Sequence, residues 1–269
     1  MRLEGKVAIV SGGGTGIGGA TARLFAREGA SVVVTGRRSE PIQAVASEIA
    51  GVAVAGDIAD PAHAAEAVEQ AVSTFGGLDI VVANAGIGLG GSAAETTDEQ
   101  WRRTIETNLT GQFSLVRAAL PHLIDRGGGA IVLVSSIGAI VGGTDSASYS
   151  ASKTGLLGLM RSLAVDYGPL GVRANAILPG WVQTPMADRA MDELAARDGL
   201  SREQAYAETT SNVPLRRAAE PDEIATCCAF LASDDSSFIT GAALVVDGGA
   251  TVVDVGGLAF DPRRWEPAE

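Results

Sequence analysis

The sequence predicts an α/β protein built on one doubly wound parallel sheet, and three observations predict it. Seven short apolar runs recur along the chain, at residues 7–10, 32–35, 52–55, 80–83, 130–135, 173–178 and 242–246. They are continuous rather than alternating, as strands buried on both faces require. Between them lie stretches with helical spacing, roughly 17–28, 40–50, 61–75, 98–126, 147–167 and 220–233. Strand–helix repetition places helices on both faces of a parallel sheet. Right-handed crossovers then wind it in two directions.

No linker, low-complexity tract or short repeat interrupts the 269 residues, so 1–269 reads as a single domain. Residues 185–215 break the strand–helix rhythm after Pro185 and are more polar, which suggests a small helical lid over a site. The tail, 250–269, is apolar enough to need burial and is expected to pack at a subunit interface. Twenty Lys and Arg against 32 Asp and Glu give a net charge of −12, a balance that repels nucleic acid. No stretch reaches the ~18 consecutive apolar residues of a membrane span, and the N-terminus is a poor signal peptide. The two cysteines are adjacent, Cys227 and Cys228, which fits core packing in a reducing, cytoplasmic compartment rather than a disulfide framework. His63 and His122 have no third ligand near them in sequence, so no metal site is expected and packing or surface roles are.

The first run leads into Ser11-Gly12-Gly13-Gly14-Thr15-Gly16-Ile17-Gly18, followed at once by a helix. Glycines allow a sharp turn and close approach of backbone N–H groups to a pyrophosphate. The helix N-terminus adds a positive dipole end. The setting, strand then turn then first helix, is that of a dinucleotide site. The second run ends Thr35-Gly36-Arg37-Arg38. An acid at this strand end would hold a ribose 2′-hydroxyl. Two arginines instead suit a 2′-phosphate, so NADP is favoured, with NAD as the alternative. The third run ends Gly56-Asp57-Ile58. Asp57 is placed to accept from an adenine amine and Ile58 to pack on the ring.

The chain has two lysines, Lys6 and Lys153, and three tyrosines. Lys153 lies four residues after Tyr149, so the two share one helix face. A phenol has an ordinary pKa near 10, and a neighbouring ammonium favours the phenolate. Such a pair is a tunable acid/base. Upstream, the fifth run ends in Ser135-Ser136, at the strand end where open α/β sheets bind ligands. Ser136 can hold a carbonyl oxygen there, while Ser135 reads as strand-end satisfaction.

These segments resemble the short-chain dehydrogenase/reductase family, in its compact branch similar to 3-oxoacyl-(acyl-carrier-protein) reductases and related alcohol dehydrogenases. The motifs are SGGGTGIG at 11–18, NAG at 84–86, Asn108 in ETNLTG, Ser136, YSASK at 149–153, LPGWVQTP at 178–185 and ITGAALVVDGG at 239–249. The resemblance implies a single-domain Rossmann fold with a seven-stranded parallel sheet, and a homotetramer. It also implies a tetrad. Tyr149 is the general acid/base and Ser136 orients the carbonyl. Lys153 lowers the tyrosine pKa and binds the nicotinamide ribose, and Asn108 holds a kink and a water of a proton relay. Asn84, Ala85 and Gly86 support the central strand and contact the adenosine ribose. Pro179, Gly180, Val182 and Thr184 cradle the nicotinamide and its phosphate.

The implied reaction moves a hydride between NADP(H) or NAD(H) and a ketone or secondary alcohol. The leading expectation is a reductase of 3-oxoacyl thioesters, and the alternative is an NAD-dependent dehydrogenase of a cyclic or sugar-like secondary alcohol. The YSASK spacing argues against an enoyl reductase. A dinucleotide sensor without catalysis is the reading from another class, and the intact tetrad argues against it.

Overall fold

The computed structural model describes residues 1–260. The seven runs form strands β1 (Val7–Ser11), β2 (Ser31–Gly36), β3 (Val52–Ala55), β4 (Ile80–Ala83), β5 (Gly129–Val134), β6 (Val172–Pro179) and β7 (Ala243–Val246). They make one parallel sheet in the order β3-β2-β1-β4-β5-β6-β7. Val10 pairs with Val34 on one side and Val82 on the other, at the centre of the sheet. The order reverses between β1 and β4, the point at which open α/β sheets leave a crevice beyond their strand ends.

Nine α-helices connect and cover the strands among the described residues: α1 (Gly16–Arg27), α2 (Ser39–Glu48), α3 (Pro61–Phe75), α4 (Asp98–Ile105), α5 (Gly111–Asp125), α6 (Ala147–Tyr167), α7 (Pro185–Asp198), α8 (Arg202–Thr210) and α9 (Pro221–Ala232). Strand side chains alternate between two cores. Ile9, Val33, Val81, Ile131, Leu133 and Ala174 pack with α3, α5 and α6 on one face. Ala8, Val10, Val34, Val82, Val132 and Ile177 pack with α1, α2 and α9 on the other. Both alternating sets are buried in β1, β4 and β5, whereas the edge strands β3 and β7 are partly exposed and β6 carries the polar Arg173 and Asn175.

Local chemistry sets the helix ends. Asp60 caps α3 by accepting from the Ala62 N–H at 2.9 Å, with Pro61 in the first turn. Thr97 and Gln100 form a reciprocal capping box at the start of α4. Spacing predicts one helix over 98–126, but the chain forms α4, a π-helical turn at Glu106–Thr110, then α5. The wide turn carries Asn108, whose amide bonds to a neighbouring backbone segment described below. Such a π-turn is a common local device at functional sites, and periodicity of apolar residues does not report it.

At the opposite end of the sheet, near the start of β6, Arg173 reaches across to the segment that follows α9. Its guanidinium donates to the Leu231 carbonyl at 3.0 Å, the Ser233 carbonyl at 3.0 Å and the Ser236 hydroxyl at 2.8 Å. Hydrogen bonds to a charged group contribute about 1.5–3 kcal/mol each, and removing one partner strands the others. Arg173→Ala is expected to lower stability by about 2–4 kcal/mol in chemical denaturation. Its turnover in the folded range should match the parent, because Arg173 lies six positions along β6 before Pro179, where the strand reaches the site.

The lid expected at 185–215 is α7 and α8 packed on each other, with a small core of Met191, Ala195 and Ala205 of its own. Arg202 grips Asp192 with two hydrogen bonds of 2.7 Å, and the Tyr206 hydroxyl donates to Asp188 at 2.9 Å. Burial, then the acceptor Asp188, push the Tyr206 phenol well above its ordinary value. In the tail, Val252, Val255 and Phe260 stand exposed on the isolated chain. The remainder of the tail, 261–269, lies outside the described residues. Among the described residues, no helix is long and apolar enough to cross a membrane.

Candidate active site

One cleft of about 1060 Å³ runs over the C-terminal ends of the strands. It is lined by Ser11 and Gly12 after β1, Thr35 to Arg38 after β2, Gly56 to Ile58 after β3, and Asn84 to Gly86 after β4. Val134 to Ser136, Tyr149, Lys153, Pro179, Gly180, Val182 and Thr184 line the other half. Every residue expected to bind coenzyme or substrate lies on this wall except Gly18, which packs behind it, and Asn108, which is buried beneath it.

The turn at 11–18 is held from below. Gly12 has φ +65, and a Cβ on Gly18 would lie 2.3 Å from the Gly12 carbonyl oxygen and 2.5 Å from the Asn84 amide nitrogen. Only glycine fits at 18, so its role is close packing of helix on turn rather than contact with a ligand. Gly14, Thr15, Gly16 and Ile17 face the cleft. Ser11 is fully buried. Its hydroxyl donates to Gln112 Oε1 at 3.0 Å and accepts from the Asn84 and Ala85 N–H groups at 2.9 and 3.0 Å. Asn84 in turn donates to the Ser11 carbonyl at 2.8 Å. Gln112 closes the network by donating to the Ala85 carbonyl at 2.6 Å. The sequence gives no sign of Gln112, because a lone glutamine in an amphipathic helix looks like surface until the fold turns it inward.

At the β2–β3 end, Arg37 and Arg38 are exposed over the cleft. Arg38 donates to the Thr15 hydroxyl at 3.4 Å, a long contact that bends it toward the glycine turn. Asp57 is also exposed, and one of its carboxylate oxygens accepts from the Ala59 N–H at 3.0 Å. It is therefore an acidic turn residue as well as a cleft-lining one. Ile58 is 5% exposed and joins the core while one edge meets the cleft.

At the other end, Tyr149 and Lys153 share one face of α6. The Lys153 ammonium is 5.7 Å from the centre of the Tyr149 ring and donates to the Val134 carbonyl at 2.9 Å. Burial lowers its pKa to about 8, so it is still mainly charged at neutral pH. Burial pushes the Tyr149 phenol up, and the Ser136 hydroxyl beside it opposes that rise without cancelling it. The lowering expected from Lys153 does not outweigh this burial. The phenol is thus held protonated, as a donor. Ser136 accepts from the Gly138 N–H at 3.1 Å, and its hydroxyl lies in hydrogen-bond reach of the Tyr149 phenol. Ser135 donates to the Lys153 carbonyl at 2.9 Å, the strand-end role expected for it.

Asn108 sits in the π-turn, buried, under the same wall. It accepts from the Ile87 N–H at 2.8 Å, and donates to the Ile87 carbonyl at 2.9 Å and to the Ser152 hydroxyl at 3.1 Å. It ties the loop after β4 to α6. A Cβ on Gly86 would lie 3.5 Å from the Lys153 nitrogen and 3.4 Å from the Asn108 oxygen. The backbone at 86 therefore runs directly beside both side chains. Pro179 ends β6 and Gly180 bonds back to Val246 at 3.0 Å. Val182 is buried, and Thr184 caps α7 by accepting from the Ala187 N–H at 3.2 Å.

The donor set fits a nicotinamide dinucleotide. The Lys153 ammonium is 4% exposed and makes one hydrogen bond among the described residues, leaving N–H groups for a ligand's hydroxyls. The cleft exceeds the roughly 300–1,000 Å³ of sites for drug-sized ligands. His63 is 5% exposed and His122 partly covered beside Glu69. No cluster that could hold a metal ion occurs among the described residues.

Taken together, the doubly wound sheet, the glycine turn and the Ser–Tyr–Lys wall define an α/β oxidoreductase acting on alcohol or ketone groups. A family model described as "Enoyl-(Acyl carrier protein) reductase" matches residues 12–251. The chain is 44% identical over 257 residues to "Protein MoaE" of Klebsiella aerogenes, covering 95% of this chain and 99% of that one. It is 41% identical to an L-rhamnose 1-dehydrogenase (NAD(P)(+)) of Azotobacter vinelandii, covering 94% and 99%. The crystal structure of levodione reductase superposes with TM-score 0.89 at 32% identity, covering 94% of this chain and all of that one. The chain belongs to the short-chain dehydrogenase/reductase family, whose members use NAD or NADP.

Proposed function

We propose that this protein is an NADP(H)-dependent oxidoreductase that interconverts a ketone and a secondary alcohol in the cleft above β4 and β5. The observation that carries it is the Ser136–Tyr149–Lys153 wall at one end of a cleft whose other end holds Arg37 and Arg38. When bound, the coenzyme supplies or accepts the hydride. The Tyr149 phenol gives its proton to the carbonyl oxygen in reduction and takes it back in oxidation. The Ser136 hydroxyl donates a hydrogen bond to that oxygen and holds it against the phenol. The Lys153 ammonium offers its remaining N–H groups to the nicotinamide ribose and stabilises the phenolate once the proton has left. Asn108 keeps the Ile87 backbone and Ser152 in place beneath them. Active copies assemble as a homotetramer, with residues 250–260 at a subunit interface, where the exposed Val252, Val255 and Phe260 find cover.

Of the two substrate classes, the cyclic, hydroxylated alcohol is the one that the polar side chains of the lining support. Thr144, Asp145, Ser146 and Ser150 line the cleft near Tyr149, and Arg189 and Glu193 face it from α7. Nicotinamide absorbance with purified protein tests both parts. NADP with a panel of aldoses and cyclic secondary alcohols is expected to give turnover, and NADPH with acetoacetyl thioester little. The reverse order would assign the thioester class instead, and no turnover on either side would remove the oxidoreductase reading.

The coenzyme choice has its own test. Arginine–phosphate hydrogen bonds are charge-assisted, at about 1.5–3 kcal/mol each. Replacing both Arg37 and Arg38 by Ala is expected to lower kcat/KM for NADPH by about 10²–10⁴-fold and leave that for NADH within about threefold. Equal losses for both coenzymes would show that the arginines do not read the 2′-phosphate.

A further inference from the structure

His63 stands in the first turn of α3, where the sequence gives it nothing to do. In the fold its ring is 5% exposed and lies beneath the coenzyme end of the cleft. Its Nε2 is 2.6 Å from the hydroxyl of Thr35, which is itself buried at the end of β2. Its Nδ1 is 3.8 Å from a Glu66 carboxylate oxygen one turn along. A carboxylate there favours the proton on Nδ1, which leaves Nε2 to accept from the Thr35 O–H.

The ring also occupies the space beside Gly56, at the end of β3. A Cβ on Gly56 would lie 2.2 Å from Nδ1 and 2.5 Å from Cγ of the ring. Real side chains never approach so closely, so with His63 present residue 56 must be glycine. The φ of Gly56 is not in the left-handed region, so space rather than backbone conformation demands it. Gly56 in turn donates its N–H to the Gly36 carbonyl at 3.1 Å. β3 is the edge strand of the sheet and only four residues long. It has no outer neighbour to fix where its end lies. One imidazole therefore sets the end of β2 through Thr35 and the end of β3 through Gly56. The loops that continue from these ends carry Arg37–Arg38 and Asp57–Ile58.

We infer that His63 is a positioning residue for the adenosine half of the coenzyme, and that Gly56 is its obligatory partner. The imidazole fixes the separation between the arginine loop and the Asp57–Ile58 loop, which must meet the ribose phosphate and the base together. This rests on the coenzyme reading above, and on no property of the substrate end.

Adenosine 2′,5′-bisphosphate probes that half of the site alone, and NADPH probes the whole. Binding of both is measured by calorimetry well below the melting temperature, alongside steady-state kinetics. His63→Ala is expected to weaken both ligands by about tenfold and raise the coenzyme KM to match, with kcat within twofold. His63→Gln, whose amide can still reach Thr35, should recover most of the binding. His63→Leu fills the space without the hydrogen bond and should bind as weakly as His63→Ala; it serves if the alanine variant does not fold. Gly56→Ala should impair binding in the parent but add no further loss in His63→Ala, where the ring has gone. Parent-like binding by His63→Ala or His63→Leu, with only a lower melting temperature, would reduce His63 to packing and overturn the inference. So would equal harm from Gly56→Ala in both backgrounds. Failure of the parent itself to bind NADPH or NADH would overturn the coenzyme reading, and the inference with it.

Discussion

Tyr149→Phe is expected to lower kcat by about 10²–10⁴-fold, the range that a positioned general acid contributes, while NADPH binding stays within about threefold. The substitution removes one oxygen and leaves the ring. The ring is what packs beside Gly138, whose Cβ would lie 3.6 Å from it, and what the Lys153 ammonium faces at 5.7 Å. Burial holds the phenol protonated, so the group is ready to donate before any ligand arrives. Coenzyme affinity and reaction rate thus respond to different atoms of the same residue. The check is NADPH titration by fluorescence beside turnover on whichever alcohol or ketone proves active. Turnover within tenfold of the parent would dismiss Tyr149 as the proton donor.

Lys153→Met should do two things that a merely catalytic lysine would not do together. Turnover should fall by at least about 10²-fold, with weaker coenzyme binding, because ribose contacts and phenolate stabilisation go at once. Stability should change with pH in a defined direction. The ammonium is buried and its pKa is lowered to about 8, against 10.5 for the free side chain. Below pH 8 both folded and unfolded chains carry the charge, and the folded state bears the full cost of burying it. Between pH 8 and 10.5 the folded lysine is neutral while the unfolded one still holds its proton. The unfolded chain then binds more protons, so stability from this residue rises with pH over that window. The whole change is on the order of 3 kcal/mol. The parent should therefore gain several degrees in melting temperature relative to Lys153→Met between pH 7 and 10.5. The comparison cancels every other group that titrates alike in both proteins. A flat difference across that range would mean that the lysine is not buried in its charged form.

The seven strands and their parallel pairing were legible because each run had to satisfy two cores at once. Val10 and Val82 belong to one core and Ile9 and Val81 to the other, so the central strands β1 and β4 are apolar along their length until Ser11. The glycine turn was legible for a similar reason, since the space at 12 and 18 admits no side chain. The Tyr149–Lys153 pair was legible because four residues on a helix is a fixed geometry.

Residues that act by reaching across the sequence were not. Gln112 and His63 meet partners 101 and 28 positions away, and nothing local in an amphipathic helix marks the one polar side chain that turns inward. The π-turn at Asn108 was legible only as the kink that the resemblance implies, because a single extra residue barely disturbs an apolar stripe over the 29 positions of 98–126. The pKa of Tyr149 escaped as well: spacing brought the lysine to the same helix face, but burial decided the direction of the shift. Short-range sterics, periodicity and glycine geometry are properties of the chain and can be read along it. The direction of a buried hydrogen bond and the cost of an enclosed charge depend on what the fold brings alongside, and those only the tertiary structure decided.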